Sequence, residues 1–180
     1  MTSWFCLAMM IAFSPMVKSA ERPPEDFAEV RWEASLTEAK TKLLARPGLK
    51  LTTVAPDQSA AEFEGGVFAG FEASRWKLSF EAGHFRKGEV WILDKEKAGM
   101  TKKYETLKAS LASKYGKAEK EDSERRVFHS AAYWSFEAHK GSWKIACDVD
   151  ERTPGLRLTY TFTPLEKGVE PGAKGRKKDL

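Results

Sequence analysis

Hydrophobic and polar positions divide this chain into an uncharged apolar start, Trp4 to Phe13, a long alternating middle, and a polar end beyond Pro164. In the middle, Trp76, Leu78 and Phe80 alternate with Lys77 and Ser79, as in a strand with one wet face. Period-two segments at Leu49 to Val54, Ala61 to Ala69, Ser74 to Phe80 and Glu89 to Asp94 predict a first set of strands. Arg126 to Phe136, Trp143 to Val149 and Leu156 to Phe162 predict a second. Gly83 and Gly88 bracket one connection, and Lys140-Gly141 and Thr153-Pro154-Gly155 supply further turns.

Two stretches switch to helical spacing. Ser35-Leu36-Thr37-Glu38 is a capping box, in which the serine hydroxyl accepts from an orphan amide and the glutamate reaches back to the cap. It opens a helix from Leu36 to about Ala45, with Leu36, Ala39, Leu43 and Leu44 on its apolar side and Pro47-Gly48 as its stop. A second helix is predicted from Thr101 to Tyr115, with Tyr104, Leu107 and Leu111 on one stripe and Gly116 as a left-handed cap.

At an offset of 67 residues, Trp76-Lys77-Leu78 falls on Trp143-Lys144-Ile145, Gly88 on Gly155, and the first helix on positions 103 to 112. The shared offset predicts a duplicated unit. The fold class expected is therefore α+β: two helix-plus-antiparallel-meander units, α-β4-α-β3, at about 30–96 and 97–164. They pack as one domain over 27–164, because neither alone buries enough apolar surface.

Trp32 shortly before the cap Ser35, and Tyr115-Gly116 closing the later helix, resemble a pattern in uncharacterised exported bacterial envelope domains. The order of elements over residues 30 to 163 is also similar to the beta-lactamase inhibitor protein fold and to the small lipoprotein of the outer-membrane barrel-assembly machine. The chain departs from the pattern in carrying Glu33 where glycine is usual, and it lacks a lipobox. The resemblance implies a protein-binding or envelope role, by analogy of fold.

The apolar start is followed by Ser14-Pro15 and then Val17-Lys18-Ser19-Ala20, which reads as a secretory signal over residues 1–19 cleaved between Ser19 and Ala20. The run is too short to span a bilayer, so no transmembrane segment is expected in the mature chain. The expected location is periplasmic or secreted. Cleavage removes Cys6 and leaves Cys147 as the one thiol, on the same parity as the apolar Trp143 and Ile145, so a buried thiol is expected.

The formal charge of +4 becomes +3 without Lys18, and residues 166–180 hold five bases against three acids. What remains is nearly neutral, so the pI of 9.0 does not point to nucleic acid as a partner. The polar end is expected to be a disordered basic tail, with Lys174, Arg176, Lys177 and Lys178 free to touch anionic surfaces by charge alone.

Candidate chemistry is sparse. His84, His129 and His139 lack the close spacing of a metal pair, and Gly65-Gly66 is followed by no Lys-Ser or Lys-Thr that would make a phosphate loop. Its glycines are expected at a bulge or a close backbone approach. No metal, nucleotide or haem cofactor is implied. Glu62, Glu64, Glu72 and Glu81 alternate with apolar residues as on a solvated sheet face. Trp91 has the opposite parity to Val90 and Ile92, so it is either a partner surface or covered by the second unit.

Two functions stand after this reading. The first is an exported, non-catalytic module that binds a protein or envelope component through a sheet face or edge. The second is a small envelope enzyme with a site assembled from distant residues, which predicts a deep pocket where His84, His129, Cys147, Asp148 and the glutamates converge.

Overall fold

The computed structural model of the chain describes residues 22–94, 97–124, 129–150 and 155–165. A short hairpin, β1 (Asp26–Phe27) and β2 (Val30–Arg31), leads into α1 (Leu36–Leu44). Then come β3 (Leu49–Val54), β4 (Ala60–Gly65), a second small hairpin of β5 (Val67–Phe68) and β6 (Phe71–Glu72), β7 (Arg75–Glu81) and β8 (His84–Ile92). The chain continues through α2 (Lys97–Tyr115), β9 (Lys120–Glu124), β10 (His129–Ala138), β11 (Gly141–Asp150) and β12 (Gly155–Pro164).

The expected α-β4-α-β3 pair of packed units is corrected by the sheet. Strand accounts for 52% of the structure and helix for 21%. The eight longer strands form one antiparallel sheet in the order β3-β4-β7-β8-β12-β11-β10-β9. Two units packed against each other would each keep two strand edges with unpaired backbone groups. Here β8 pairs directly with β12, from Leu156 opposite Ile92 to Thr161 opposite Lys87, and the sheet runs on without a break. The offset does not mark separately packed halves.

Alternation decides which side chains meet the helices. Trp76, Leu78, Val90, Ile92, Leu156, Leu158, Ile145 and Cys147 point to one face and are buried. They join one apolar cluster with Ala39 and Leu43 of α1 and with Met100, Tyr104, Leu107 and Leu111 of α2. Both helices thus cover the same face. The Tyr115 ring packs edge-on to Phe136 at 5.6 Å, closing the cluster beneath the end of α2.

The capping box at α1 forms as the sequence requires: Ser35 Oγ accepts from the Glu38 amide at 3.3 Å, and the Glu38 carboxylate accepts from the Ser35 amide at 2.8 Å. Those bonds from Ser35 hold the Glu38 carboxyl below its ordinary pKa. At the end of α2, Gly116 has φ 88° and its amide donates to the Ala112 carbonyl at 2.9 Å.

Gly65 sits at a close backbone approach, as expected, while one strand bound and the reading of Gly88 change. The strand expected from Ala61 to Ala69 stops at Gly65, with φ 78°, where a Cβ would lie 2.4 Å from the Gly48 carbonyl oxygen. Gly88 is not part of a turn but sits inside β8. A Cβ there would meet the Phe27 ring at 2.3 Å, so the missing side chain makes room for the N-terminal hairpin to lay Phe27 on the sheet. Edge strand β9, Lys-Glu-Asp-Ser-Glu, carries no apolar alternation and was outside the expected strands.

Among the described residues no helix is long and apolar enough to cross a membrane. Ser19 and Ala20, and the tail residues Lys174, Arg176, Lys177 and Lys178, lie outside the described residues.

Candidate interaction face of the sheet

The opposite face of the sheet carries the polar set of the same strands. Cross-strand register places Glu64, Arg75, Trp91, Arg157, Asp148, Ala131 and Asp122 in one row from β4 to β9. The next row holds Glu62, Lys77, Glu89, Thr159, Ala146, Tyr133 and Lys120. Among the described residues no helix packs on this face. Trp91 is therefore not beneath a second unit; it stands half-buried near the middle of the open face.

Its neighbours fix its position. The Arg75 guanidinium lies over the Trp91 ring, 5.0 Å from its centroid, and bonds the Glu62 carboxylate at 2.6 Å. On the other side, Arg157 is the register partner of Trp91 and reaches Asp148 through both Nε and a terminal nitrogen at 3.2 Å. The strip reads acid, arginine, tryptophan, arginine, acid. Each guanidinium is held by its carboxylate yet remains about half exposed, 50% for Arg75 and 48% for Arg157. Glu62, from the neighbouring row, balances Arg75, and Asp148, in the same row, balances Arg157.

One row away, Glu89 is 6% exposed. A carboxylate removed from water needs a partner, and Lys87 Nζ supplies it at 3.0 Å. Thr159 and Thr161 of β12 stand opposite Glu89 and Lys87 in the register.

The residues once drawn into an enzyme site are scattered. His84 is exposed, its Nδ1 3.1 Å from the Glu33 carbonyl oxygen, and His139 is exposed in the turn between β10 and β11. The His129 side chain lies outside what is described. Cys147 is buried on the covered face while Asp148, next in the strand, bonds Arg157 on the open one. Burial, with a smaller contribution from the Asp148 charge, pushes the Cys147 thiol up to about 12, the reverse of what a nucleophile needs. Glu62 and Glu64 share the open face, whereas Glu72 is in β6 and Glu81 ends β7. Among the described residues no three His, Cys, Asp or Glu side chains are placed to hold a metal ion.

No family model, curated protein or solved structure matches this chain. Arg75, Arg157 and Glu89 were not singled out in the sequence. The available signal was parity, since Arg75 and Arg157 stand opposite in phase to the buried apolar residues beside them and Glu89 stands opposite in phase to Val90 and Ile92.

Proposed function

We propose that the protein is an exported, non-catalytic binding module that docks a protein partner on the open sheet face around Trp91. The observation carrying this reading is the half-buried indole covered by Arg75 and flanked in the register by Arg157, each arginine fixed by its own carboxylate. Tryptophan and arginine are the side chains most enriched among residues that dominate binding energy, and a pre-positioned pair loses little freedom on docking. A partner that excludes water from this strip strengthens every charge-assisted bond along it.

The face is favoured over the sheet edges by their chemistry. At one end, β9 is Lys-Glu-Asp-Ser-Glu, a charged strand of the kind that discourages strand addition. At the other, β3 has a register break between Leu51 and Thr53, which interrupts the ladder an added strand would follow.

The test has two arms. Intact mass of the protein from its native cell fraction should begin at Ala20. A partner isolated on the wild-type chain and then purified should bind Trp91→Ala at least about tenfold more weakly, with the fold retained by circular dichroism. Unchanged affinity removes the face; an uncleaved chain in the cytosol removes export.

A further inference from the structure

We propose, resting on the open-face reading, that the partner docked around Trp91 is a second copy of this chain, joined face to face about a two-fold axis that runs along the strands between β8 and β12. A two-fold interface brings the same patch of both copies together, so the face must complement itself. About this axis the strands meet according to their distance from it: β8 lies over β12, β7 over β11, β4 over β10 and β3 over β9. Twisted sheets pack with their strands about 30° apart, so the axis tilts by about half of that from the strand direction.

The cross-strand register shows what each residue then faces. In the row of Trp91, Arg75 meets Asp148 of the second copy, and Arg157 comes over its indole. Lys50, which extends the row onto β3 opposite Glu64, meets the second copy's Asp122, and Glu64 meets its Ala131. In the next row Glu89 meets Thr159 and Glu62 meets Tyr133, so that each carboxylate faces a hydroxyl able to donate to it. Lys77 meets Ala146. In the third row Lys87 meets Thr161 and Lys144 meets Ser79. Among the described residues of these rows no like charges are opposed, and the symmetry makes every pair twice.

Moving the axis loses this match. On β8 it would set Arg75 over Arg157 and Glu64 over Asp148. On β12 it would set Arg157 over itself and Glu64 over Asp122, and between β12 and β11 it would set Lys77 over Lys120. Like charges facing each other across an interface are what excludes a wrong pairing. An axis between β7 and β8 keeps unlike charges together but overlaps six strands in place of eight. With about 4.8 Å between strands and about 6.8 Å between rows on one face, three rows over eight strands present roughly 800 Å², one side of a stable interface of standard size, whereas six strands present roughly 600 Å². The charged groups are within reach: Arg75 is 50% exposed, Arg157 48% and Asp122 54%.

Sedimentation of the full chain from about 1 µM to about 200 µM in an analytical ultracentrifuge tests the pairing. The expected result is a monomer–dimer equilibrium that weakens as salt is added, because opposed charges draw the copies together. Arg75→Glu and Asp148→Lys should each associate at least about tenfold more weakly, since each sets like charges together twice. Mixed in equal amounts the two variants should dimerise again, because one pair is then reversed in sign and the other is native. A chain that stays monomeric, a dimer that both variants leave intact, or variants that fold by circular dichroism yet do not recover on mixing would each overturn the inference. Should a variant fail to fold, the wild-type chain decides, and a dimer that salt leaves unchanged or tightens overturns it. A monomer removes the second copy as occupant without touching the open-face reading, which falls only if a different partner protein binds Trp91→Ala as tightly as wild type.

Discussion

Leu158 and Thr159 are neighbours on β12, yet they belong to two different kinds of surface. Leu158 is fully buried beneath the helices, level with Val90 on one side and Cys147 on the other. Thr159 faces outward between Glu89 and Ala146. The covered face is held by apolar area and close fit, which stabilise the fold in proportion to what they remove from water. Exposed ion pairs and cation–π contacts on the open face add little to folding. The proposed binding role rests on this contrast: Arg75 over the indole and Arg157 beside it in the register are ordered at small benefit to stability.

The sharpest way to break this contrast is to truncate both neighbours. Leu158→Ala should cost about 2–5 kcal/mol, through lost transfer energy and a residual cavity, whereas Thr159→Ala should cost less than about 1 kcal/mol. Urea denaturation of the two variants checks it, and similar losses would erase the distinction between faces. Next in size is Gly88→Ala. The added methyl meets the Phe27 ring on the covered side, so a loss of about 1–3 kcal/mol is expected, read as a lower denaturation midpoint.

Cys147 provides a pH test of the covered face. Its folded pKa of about 12 lies above an ordinary 9.0 because burial disfavours the thiolate. The unfolded chain therefore releases the proton first. Stability tied to this group is complete below about pH 9 and falls as pH rises toward 12. Over that range the wild type should lose stability more steeply than Cys147→Ala, and its thiol should resist labelling until the protein unfolds. Tyr104 and Tyr160, both pushed upward chiefly by burial, add a decline common to the two proteins. Equal slopes would mean that Cys147 is not sealed from water.

The smallest expected effect is on the open face. Arg157→Ala, which breaks the bidentate contact with Asp148, should change stability by less than about 1 kcal/mol, because the guanidinium is 48% exposed. A larger loss would make the pair a structural clamp and weaken the case for recognition.

Local features were legible in the sequence because they depend on neighbours along the chain. Ser35 and Glu38 are three residues apart, and their reciprocal bonds follow from that spacing. Gly116 behaves likewise at the end of α2, and the parity of Trp76, Leu78 and Phe80 gave the buried side of β7. Which strands lie side by side was not legible. The pairing of β8 with β12 joins Lys87 to Thr161, and period two says which face a residue takes without naming its neighbour. Gly88 illustrates the same limit: a turn glycine and a glycine beneath an aromatic ring look alike until Phe27 is in place. Strand β9 escaped because an edge strand of charged residues has little apolar alternation, while Lys108 of α2 helps hold it through Glu121 at 3.3 Å. At the open face the indole was visible as a residue out of phase, but its two arginines come from strands distant in sequence, Arg75 on β7 and Arg157 on β12.

The measurement that bears most directly on the central claim is the affinity of one purified partner for four proteins: wild type, Trp91→Ala, Arg75→Ala and Arg157→Ala. Each variant should keep a near-wild-type melting temperature. Trp91→Ala is expected to weaken binding by at least about tenfold, and both arginine variants by a smaller factor. Binding that is equally tight across all four would contradict it, and would leave the open face as no more than the wet side of a sheet.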